Sequence, residues 1–187
     1  MTADKQIIWQ GPGWRLQEET AVLPDGREMA ISAIRHPGAV VLVPIRRQNS
    51  GWQVLVLQQY RPVIAQTILE LPAGTLEWGE AYLPAAQREL REETGLRAET
   101  FTPLGEFWPV PGSSDEKMAL YLAQNLSPDP LPQDEDEIIE TEWRPLAELI
   151  EMAYDGRILD GKTVGALLRA ERFLKRQRQL AANKAMC

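Results

Sequence analysis

The sequence predicts an α/β fold, because strands of several lengths are mixed with a few long helices. Residues 39–44 and 52–58 are apolar runs of strand length, separated by a polar loop at 46–51. Residues 145–154 and 161–180 have helical periodicity, and the second segment is amphipathic. The apolar residues expected on its inward side are Val164, Leu167, Leu168 and Phe173.

The N-terminal residues predict a β-hairpin. Gly11-Pro12-Gly13 has the composition of a hinge, and residues 14–19 follow it as a strand. Leu23-Pro24-Asp25-Gly26 places proline and glycine where a tight turn favours them. Residues 29–35 then return as the second strand, so we expect an N-terminal β-hairpin arm over residues 14–35.

The strand pattern resumes in the second half of the chain, at residues 99–109, 117–124 and 140–144. No internal repeat is evident. We therefore expect two structural units, an N-terminal strand arm over residues 1–35 and a main domain over residues 36–187.

A helix is predicted between Pro84 and Gly95. Proline suits the first helical turn because its missing N–H needs no partner there. Glycine suits the residue just past a helix end, where a left-handed conformation costs little without a side chain. Leu83, Ala86 and Leu90, at i, i+3 and i+7, form an apolar stripe that we expect to pack on the core.

Glu89, Glu92 and Glu93 stand at positions i, i+3 and i+4 of this helix, so their carboxylates share one face. Three like charges so close together repel one another and weaken an isolated helix. Hard, oxygen-seeking cations such as Mg²⁺ or Mn²⁺ would relieve that repulsion, and the sequence therefore predicts a divalent-metal site. We expect Arg88 and Glu80 to pair and to shape the loop that enters the helix.

Residues 74–96, GTLEWGEAYLPAAQRELREETGL, resemble the Nudix box, Gx5Ex7REUxEExGU with U apolar, and every specified position matches. Nudix enzymes hydrolyse nucleoside diphosphates linked to another moiety, and the resemblance implies this reaction and an α/β/α sandwich with a mixed sheet. It also implies a set of metal ligands: Glu89, Glu92, Glu93 and the backbone carbonyl of Ala73. A metal ion held by these carboxylates would neutralise phosphoryl charge and activate water, so Glu92 is also expected to take part in catalysis.

Three further elements resemble the ADP-ribose pyrophosphatase branch of this family: QYRP at residues 59–62, ELPAG at 70–74 and PGxSxE at 111–116. A proline about fifteen residues beyond the box is typical of the branch, and Pro111 lies there. The resemblance implies Mg²⁺-dependent (or Mn²⁺-dependent) hydrolysis of the pyrophosphate bond of ADP-ribose or a related ADP-sugar. The products would be AMP and a sugar phosphate.

Three residues outside the box are candidates for substrate binding. Arg61 ends an apolar strand, where its guanidinium could hold a phosphate with paired N–H donors or simply lie on the surface. Glu70 either contacts the metal cluster or anchors its loop. Trp14 matches an adenine-stacking tryptophan of some similar enzymes, although it could equally cover apolar surface, as Trp9 or Trp52 would.

The acidic run Asp134-Glu135-Asp136-Glu137 has two interpretations. Four consecutive acids usually form a solvated loop. Similar enzymes, however, place their catalytic base on the loop just before the strand that resembles residues 138–143. A glutamate there can approach the attacking water from the side opposite the box helix. Glu137 is the first candidate for the base and Glu135 the second.

Composition and charge limit the partners. The formal charge of −7 argues against nucleic-acid binding through a basic surface. No apolar run has the length of a transmembrane helix, so no membrane partner is expected. The one cysteine, Cys187, excludes an intramolecular disulfide, and we expect a cytoplasmic protein. In ADP-ribose pyrophosphatases an N-terminal sheet pairs with the second subunit, so the resemblance implies a homodimer.

Other functions stay open at this point. Rival substrates for the same chemistry are GDP-mannose, NADH, flavin adenine dinucleotide and ADP-glucose. A domain of this type could also bind ADP-ribose without cleaving it. The intact set of Glu89, Glu92 and Glu93 favours catalysis, because a binding domain has less need of three metal carboxylates.

Overall fold

A three-stranded sheet at the N-terminus is followed by a seven-stranded sheet with helices on both of its faces. The coordinates are a computed structural model that describes residues 5–49, 51–132 and 139–185. The elements of these residues are, in chain order, β1 (Lys5–Gln10), β2 (Arg15–Val22), β3 (Glu28–Arg35), β4 (Ala39–Gln48), β5 (Gly51–Arg61), β6 (Gln66–Glu70), β7 (Ala73–Thr75), α1 (Tyr82–Thr94), β8 (Leu96–Phe107), β9 (Met118–Pro128), β10 (Ile139–Pro145), α2 (Leu146–Tyr154) and α3 (Gly161–Ala185).

The seven-stranded sheet is mixed, as the sequence predicts. Its main path has the order β10-β5-β4-β9-β8, with β6 paired to β5 and β7 paired to β4. Strands β4 and β9 run parallel, whereas the neighbouring pairs are antiparallel. Strand β4 is central, and its apolar residues from Ala39 to Ile45 are all buried.

Strand β4 also explains the layers of the fold. Successive side chains of a strand point to opposite faces of the sheet. Val41 packs in one core cluster with Leu167 of α3, and Leu42 packs in a second cluster with Leu90 of α1. All four side chains are fully buried, and burial of one such side chain stabilises the fold by about 1.5–3 kcal/mol. The predicted α/β/α sandwich is therefore confirmed.

The N-terminal arm contains the predicted hairpin and one more strand. Strands β2 and β3 pair from Arg15 with Arg35 to Val22 with Glu28, and β1 adds to the free edge of β2. The arm is attached to the loop after β8: the Ile34 N–H donates to the Ser113 carbonyl at 2.9 Å. Strand β1 was not predicted from the sequence, because its residues do not alternate between apolar and polar side chains. All six are exposed in the structure.

Two local expectations differ from the structure. The loop predicted at residues 46–51 is shorter, because residues 46–48 continue β4 and pair with the start of β5. Leu83 does not join the apolar stripe of α1 and is 45% exposed, because the inward face of that helix is rotated toward Ala85. The apolar residues predicted for α3 do pack on the core. Among the described residues, no helix is long and apolar enough to cross a membrane.

Candidate functional site

Helix α1 places two of its carboxylates against the core. It begins at Tyr82, so that Pro84 lies in its first turn, and it ends at Gly95 in the left-handed conformation (φ 67°). This agrees with both predicted helix signals. Glu89 and Glu93 are only 8% and 5% exposed, because they lie on the buried side of the helix.

Strand β7, which carries Ala73 and Gly74, lies directly over these two carboxylates. The Ala73 N–H donates to Glu93 Oε2 at 2.8 Å. A Cβ atom at Gly74 would collide with the Glu89 carboxyl group, so a larger residue would force the Glu89 side chain or β7 to shift. The glycine that opens the box therefore lets β7 pack closely on α1.

Arg88 is a basic residue of α1 that contacts three neighbouring glutamates. Its Nη1 donates to Glu89 at 2.7 Å and to Glu92 at 2.9 Å, and its Nη2 donates to Glu80 at 3.0 Å. Burial alone would lower the pKa of Arg88, but these hydrogen bonds and charges outweigh it and raise the pKa. Hydrogen bonds from Arg88 lower the pKa of Glu80. The predicted pair of Arg88 with Glu80 is present, and Arg88 also bridges two box carboxylates.

The box carboxylates suit a hard divalent cation in their chemistry, since their donor atoms are all oxygen. As the side chains stand, no three His, Cys, Asp or Glu side chains among the described residues are grouped tightly enough to hold a metal ion. The Arg88 guanidinium lies between Glu89 and Glu92 and offsets part of their negative charge. A metal ion would have to compete with this cation for the two carboxylates.

Arg61 and Glu70 form a forked ion pair at the ends of two adjacent strands. Arg61 Nε and Nη2 donate to the two oxygens of Glu70, both at 2.6 Å, and Lys162 Nζ also donates to Glu70. Glu70 is 1% exposed. Burial alone would raise the pKa of Glu70, but the hydrogen bonds and charges of the two cations lower it. The pKa of Arg61 is raised, first by its bond to Glu70 and to a lesser degree by the charge of Glu93.

A cleft of about 660 Å³ lies beside β7, between this ion pair and the loop after β8. Arg61 and the Ala73–Thr75 strand line one part of it, so the predicted phosphate-binding and metal-binding segments meet at the same cleft. The other lining residues are Ala39, Phe107, Trp108, Pro109, Glu116, Met118, Asp160, Gly161 and Lys162.

Among the described residues, the predicted site residues Glu70, Glu89, Glu92 and Glu93 do not line this cleft. Of the residues that the structure describes, those lining the cleft do not include Trp14, whose ring packs on Trp9 with centroids 4.3 Å apart. Trp14 is 40% exposed on the arm. The two candidates for the base, Glu137 and Glu135, fall within residues 133–138, which lie outside the described residues.

Asp160 and Lys162 line the cleft at the start of α3 and were not predicted from the sequence. Asp160 caps this helix, because the Thr163 N–H donates to its Oδ2 at 3.0 Å. An aspartate just before a helical segment is a recognisable capping signal. No local pattern could have indicated Lys162, because its partner Glu70 is 92 residues away in the sequence.

The fold and this cleft correspond to a known class of enzyme. The NUDIX domain profile matches residues 35–166, which is more than half of the chain. The chain therefore belongs to the Nudix family and is a Nudix hydrolase. Enzymes of this family use divalent metal ions, in agreement with the oxygen donors on α1.

Particular relatives are similar over nearly the whole chain. ADP-ribose pyrophosphatase of Bacillus subtilis (strain 168) is 32% identical over 185 residues, which are 98% of this chain and 96% of that protein. Methanol dehydrogenase activator of Bacillus methanolicus is 36% identical over 168 residues, 89% of each chain. A crystal structure of an ADP compounds hydrolase, 24% identical, aligns with a TM-score of 0.77 over 94% of this chain and 95% of that chain. The last similarity confirms the fold.

Proposed function

We propose that this chain hydrolyses the pyrophosphate bond of ADP-ribose or a related ADP-sugar to AMP and a sugar phosphate. The observation that carries the proposal is the meeting of Arg61 and the Ala73–Thr75 strand at one cleft, with Glu89 and Glu93 packed directly behind that strand. Such a cleft offers a cation for a diphosphate beside a set of metal-binding oxygens. The B. subtilis relative, named an ADP-ribose pyrophosphatase, supports the choice of substrate.

The proposed metal ion is Mg²⁺ or Mn²⁺, held by Glu89, Glu92, Glu93 and the backbone carbonyl of Ala73. Such an ion supplies neutralisation of the diphosphate charge and a more acidic water. The Ala73 N–H holds Glu93 in place for this role, and Arg88 bridges Glu89 and Glu92.

The remaining roles belong to side chains around the cleft. Arg61 donates hydrogen bonds from Nε and Nη2 to Glu70, and among the described residues its Nη1 has no hydrogen-bond partner. We assign Nη1 to a substrate phosphate, while Glu70 anchors the arginine rather than binding metal. Glu137, with Glu135 as the second candidate, is the proposed general base.

The arm of residues 1–35 is proposed to pair two chains into a homodimer, whereas residues 36–187 form the hydrolase domain. Exposed apolar side chains and unpaired strand edges on the arm support this, since edge pairing would cover both. In such a dimer, Trp14 would stack on the adenine of a substrate. We place the enzyme in the cytoplasm.

A panel of nucleotides with Mg²⁺ tests the proposal, with products separated by chromatography. We expect ADP-ribose to be cleaved to AMP and a sugar phosphate at the highest kcat/KM of the panel. Preferred cleavage of GDP-mannose, NADH, flavin adenine dinucleotide or ADP-glucose would change the assigned substrate. Binding of ADP-ribose without turnover would identify a binding domain and overturn the proposed activity.

A second candidate function follows from the 36% identity with the methanol dehydrogenase activator. This chain would then raise the rate of a methanol dehydrogenase. Addition of the purified chain to a methanol dehydrogenase assay, beside a Glu93→Gln variant, measures this directly. No change in dehydrogenase rate with the unmodified chain would exclude it.

A further inference from the structure

Glu70 is held by two cations from different parts of the fold. Arg61 at the end of β5 binds both carboxylate oxygens, and Lys162 in the first turn of α3 binds one of them. The Glu70 and Lys162 side chains are 1% and 11% exposed, whereas Arg61 is 39% exposed. Both cations line the cleft, but Lys162 is much less exposed than Arg61.

Lys162 is itself fixed by a closed ring of contacts. Its Nζ lies 3.0 Å from Asp160 Oδ2, and the Thr163 hydroxyl donates to the same oxygen at 2.6 Å. The Leu71 N–H in turn donates to this hydroxyl at 2.8 Å. Leu71 follows Glu70 in the chain, so the contacts return to their starting point and attach α3 to the end of β6.

The same short segment reaches the carboxylates of α1. Two residues after Leu71, the Ala73 N–H donates to Glu93, and the next residue, Gly74, lies against Glu89. The ring at Lys162 therefore sets where Arg61 stands relative to these two glutamates. A buried carboxylate with one partner removed is costly, so loss of Lys162 would leave Glu70 dependent on Arg61 alone.

We propose that Lys162 is a positioning residue for substrate binding. It offsets the charge of Glu70 from the first turn of α3, so that Arg61 is not drawn fully onto Glu70 and can direct its remaining N–H donors to a phosphate. The assignment of that phosphate rests on the proposed function. Lys162 acts through Glu70 and Arg61 and makes no contact with the substrate.

Steady-state kinetics of the Lys162→Met variant test this positioning role. The substrate is ADP-ribose, or the nucleotide that the panel identifies as preferred. Arg61 binds phosphate in both the ground state and the transition state, so KM should rise about tenfold with a smaller change in kcat. Lys162→Arg should restore KM to within about threefold of the unmodified enzyme, because its charge is retained. Lys175→Met, an exposed lysine of the same helix, is the matched control.

The double variant Lys162→Met with Arg61→Ala tests whether Lys162 affects substrate binding only through Arg61. If Lys162 acts through Arg61, Lys162→Met adds no further increase in KM once Arg61 is absent. A full additional tenfold increase would show that Lys162 contacts substrate directly or is only structural, and would overturn the proposal. Unchanged KM in a folded Lys162→Met enzyme would do the same.

A measurement that does not depend on enzyme activity tests the role of Lys162 separately from the proposed reaction. The Nε–H resonance of Arg61, assigned by its loss in Arg61→Ala, reports the bond to Glu70. We expect its exchange with water to be slower in Lys162→Met, where Glu70 depends on Arg61 alone, and unchanged in Lys162→Arg and Lys175→Met. Equal exchange in all three variants contradicts the positioning role, whereas failure of every nucleotide to turn over contradicts only the proposed function.

Discussion

The buried glutamates Glu70, Glu89 and Glu93 form a carboxylate centre, and this centre differs from the N-terminal arm in what it buries. Glu70 and Glu93 are 1% and 5% exposed in the centre, each with hydrogen-bond donors from the same chain. On the arm, Trp9 and Trp14 remain 48% and 40% exposed, although they are large apolar groups. Buried charge requires partners, whereas exposed apolar surface indicates that a covering surface is missing. The centre is thus held together within one chain, whereas the arm leaves large apolar groups exposed.

Removal of one box carboxylate should have the largest effect on activity. Glu93→Gln keeps the side-chain volume and an acceptor for the Ala73 N–H but removes the charge. We expect kcat to fall at least about a thousandfold, or about 4 kcal/mol of transition-state stabilisation, and chelator to abolish turnover. Glu99→Gln, on the exposed surface of β8, is the control. Full turnover in excess chelator would contradict the metal assignment.

Loss of the proposed catalytic base should have the second largest effect on activity. Glu137→Gln is expected to lower kcat about 10²- to 10⁴-fold with little change in KM, since general-base catalysis has this magnitude. Glu135→Gln is the paired variant. A large effect at Glu135 alone would move the base by two residues, and a small effect at both would favour a solvated acidic loop.

The close approach of β7 to α1 gives a smaller, steric prediction. In Gly74→Ala the new Cβ collides with the Glu89 carboxylate, so the Glu89 side chain or strand β7 has to shift. A displacement of this kind can reduce activity up to about a hundredfold. Gly165→Ala is the matched control, because a Cβ there meets nothing within 4 Å, and it should stabilise α3 by up to about 1 kcal/mol. Kinetics and thermal unfolding measure both effects.

The ion pair at Glu70 predicts a pH dependence of stability. The folded pKa of Glu70 is lowered, so its contribution is fully present above the unfolded pKa of about 4.3. That contribution is lost as pH falls through the folded pKa. Glu70→Gln should therefore cost about 3 kcal/mol at neutral pH, and the difference from the unmodified chain should shrink in acid. Urea unfolding at several pH values checks this, and a constant difference would contradict it.

The sequence predicted the features that depend on local chemistry. Pro84 and Gly95 locate the box helix, and the spacing of Glu89, Glu92 and Glu93 places them on one surface. Tertiary contacts could not be predicted in this way: Lys162 meets Glu70 across 92 residues of sequence. The bridging contacts of Arg88 depend on rotamers that spacing does not determine.

Self-association tests whether a second chain covers the arm. We expect a twofold dimer of about 42 kDa, twice the 21.1 kDa chain, by light scattering. Deletion of residues 1–35 should give a monomer that keeps the α/β/α domain but binds nucleotide more weakly. A monomeric full-length protein would show that the exposed apolar groups of the arm do not serve dimerisation.

The smallest expected effect concerns Trp14. If its ring stacks on adenine, Trp14→Ala should raise KM about tenfold, because base stacking contributes about 1–3 kcal/mol. The change should appear in KM rather than kcat, since stacking holds the ground state and the transition state alike. Trp52→Ala, on β5 in the main domain, provides a tryptophan control outside the arm. An equal KM for Trp14→Ala and the unmodified enzyme would assign Trp14 to packing against Trp9 alone, and the arm would then have no part in adenine recognition through this ring.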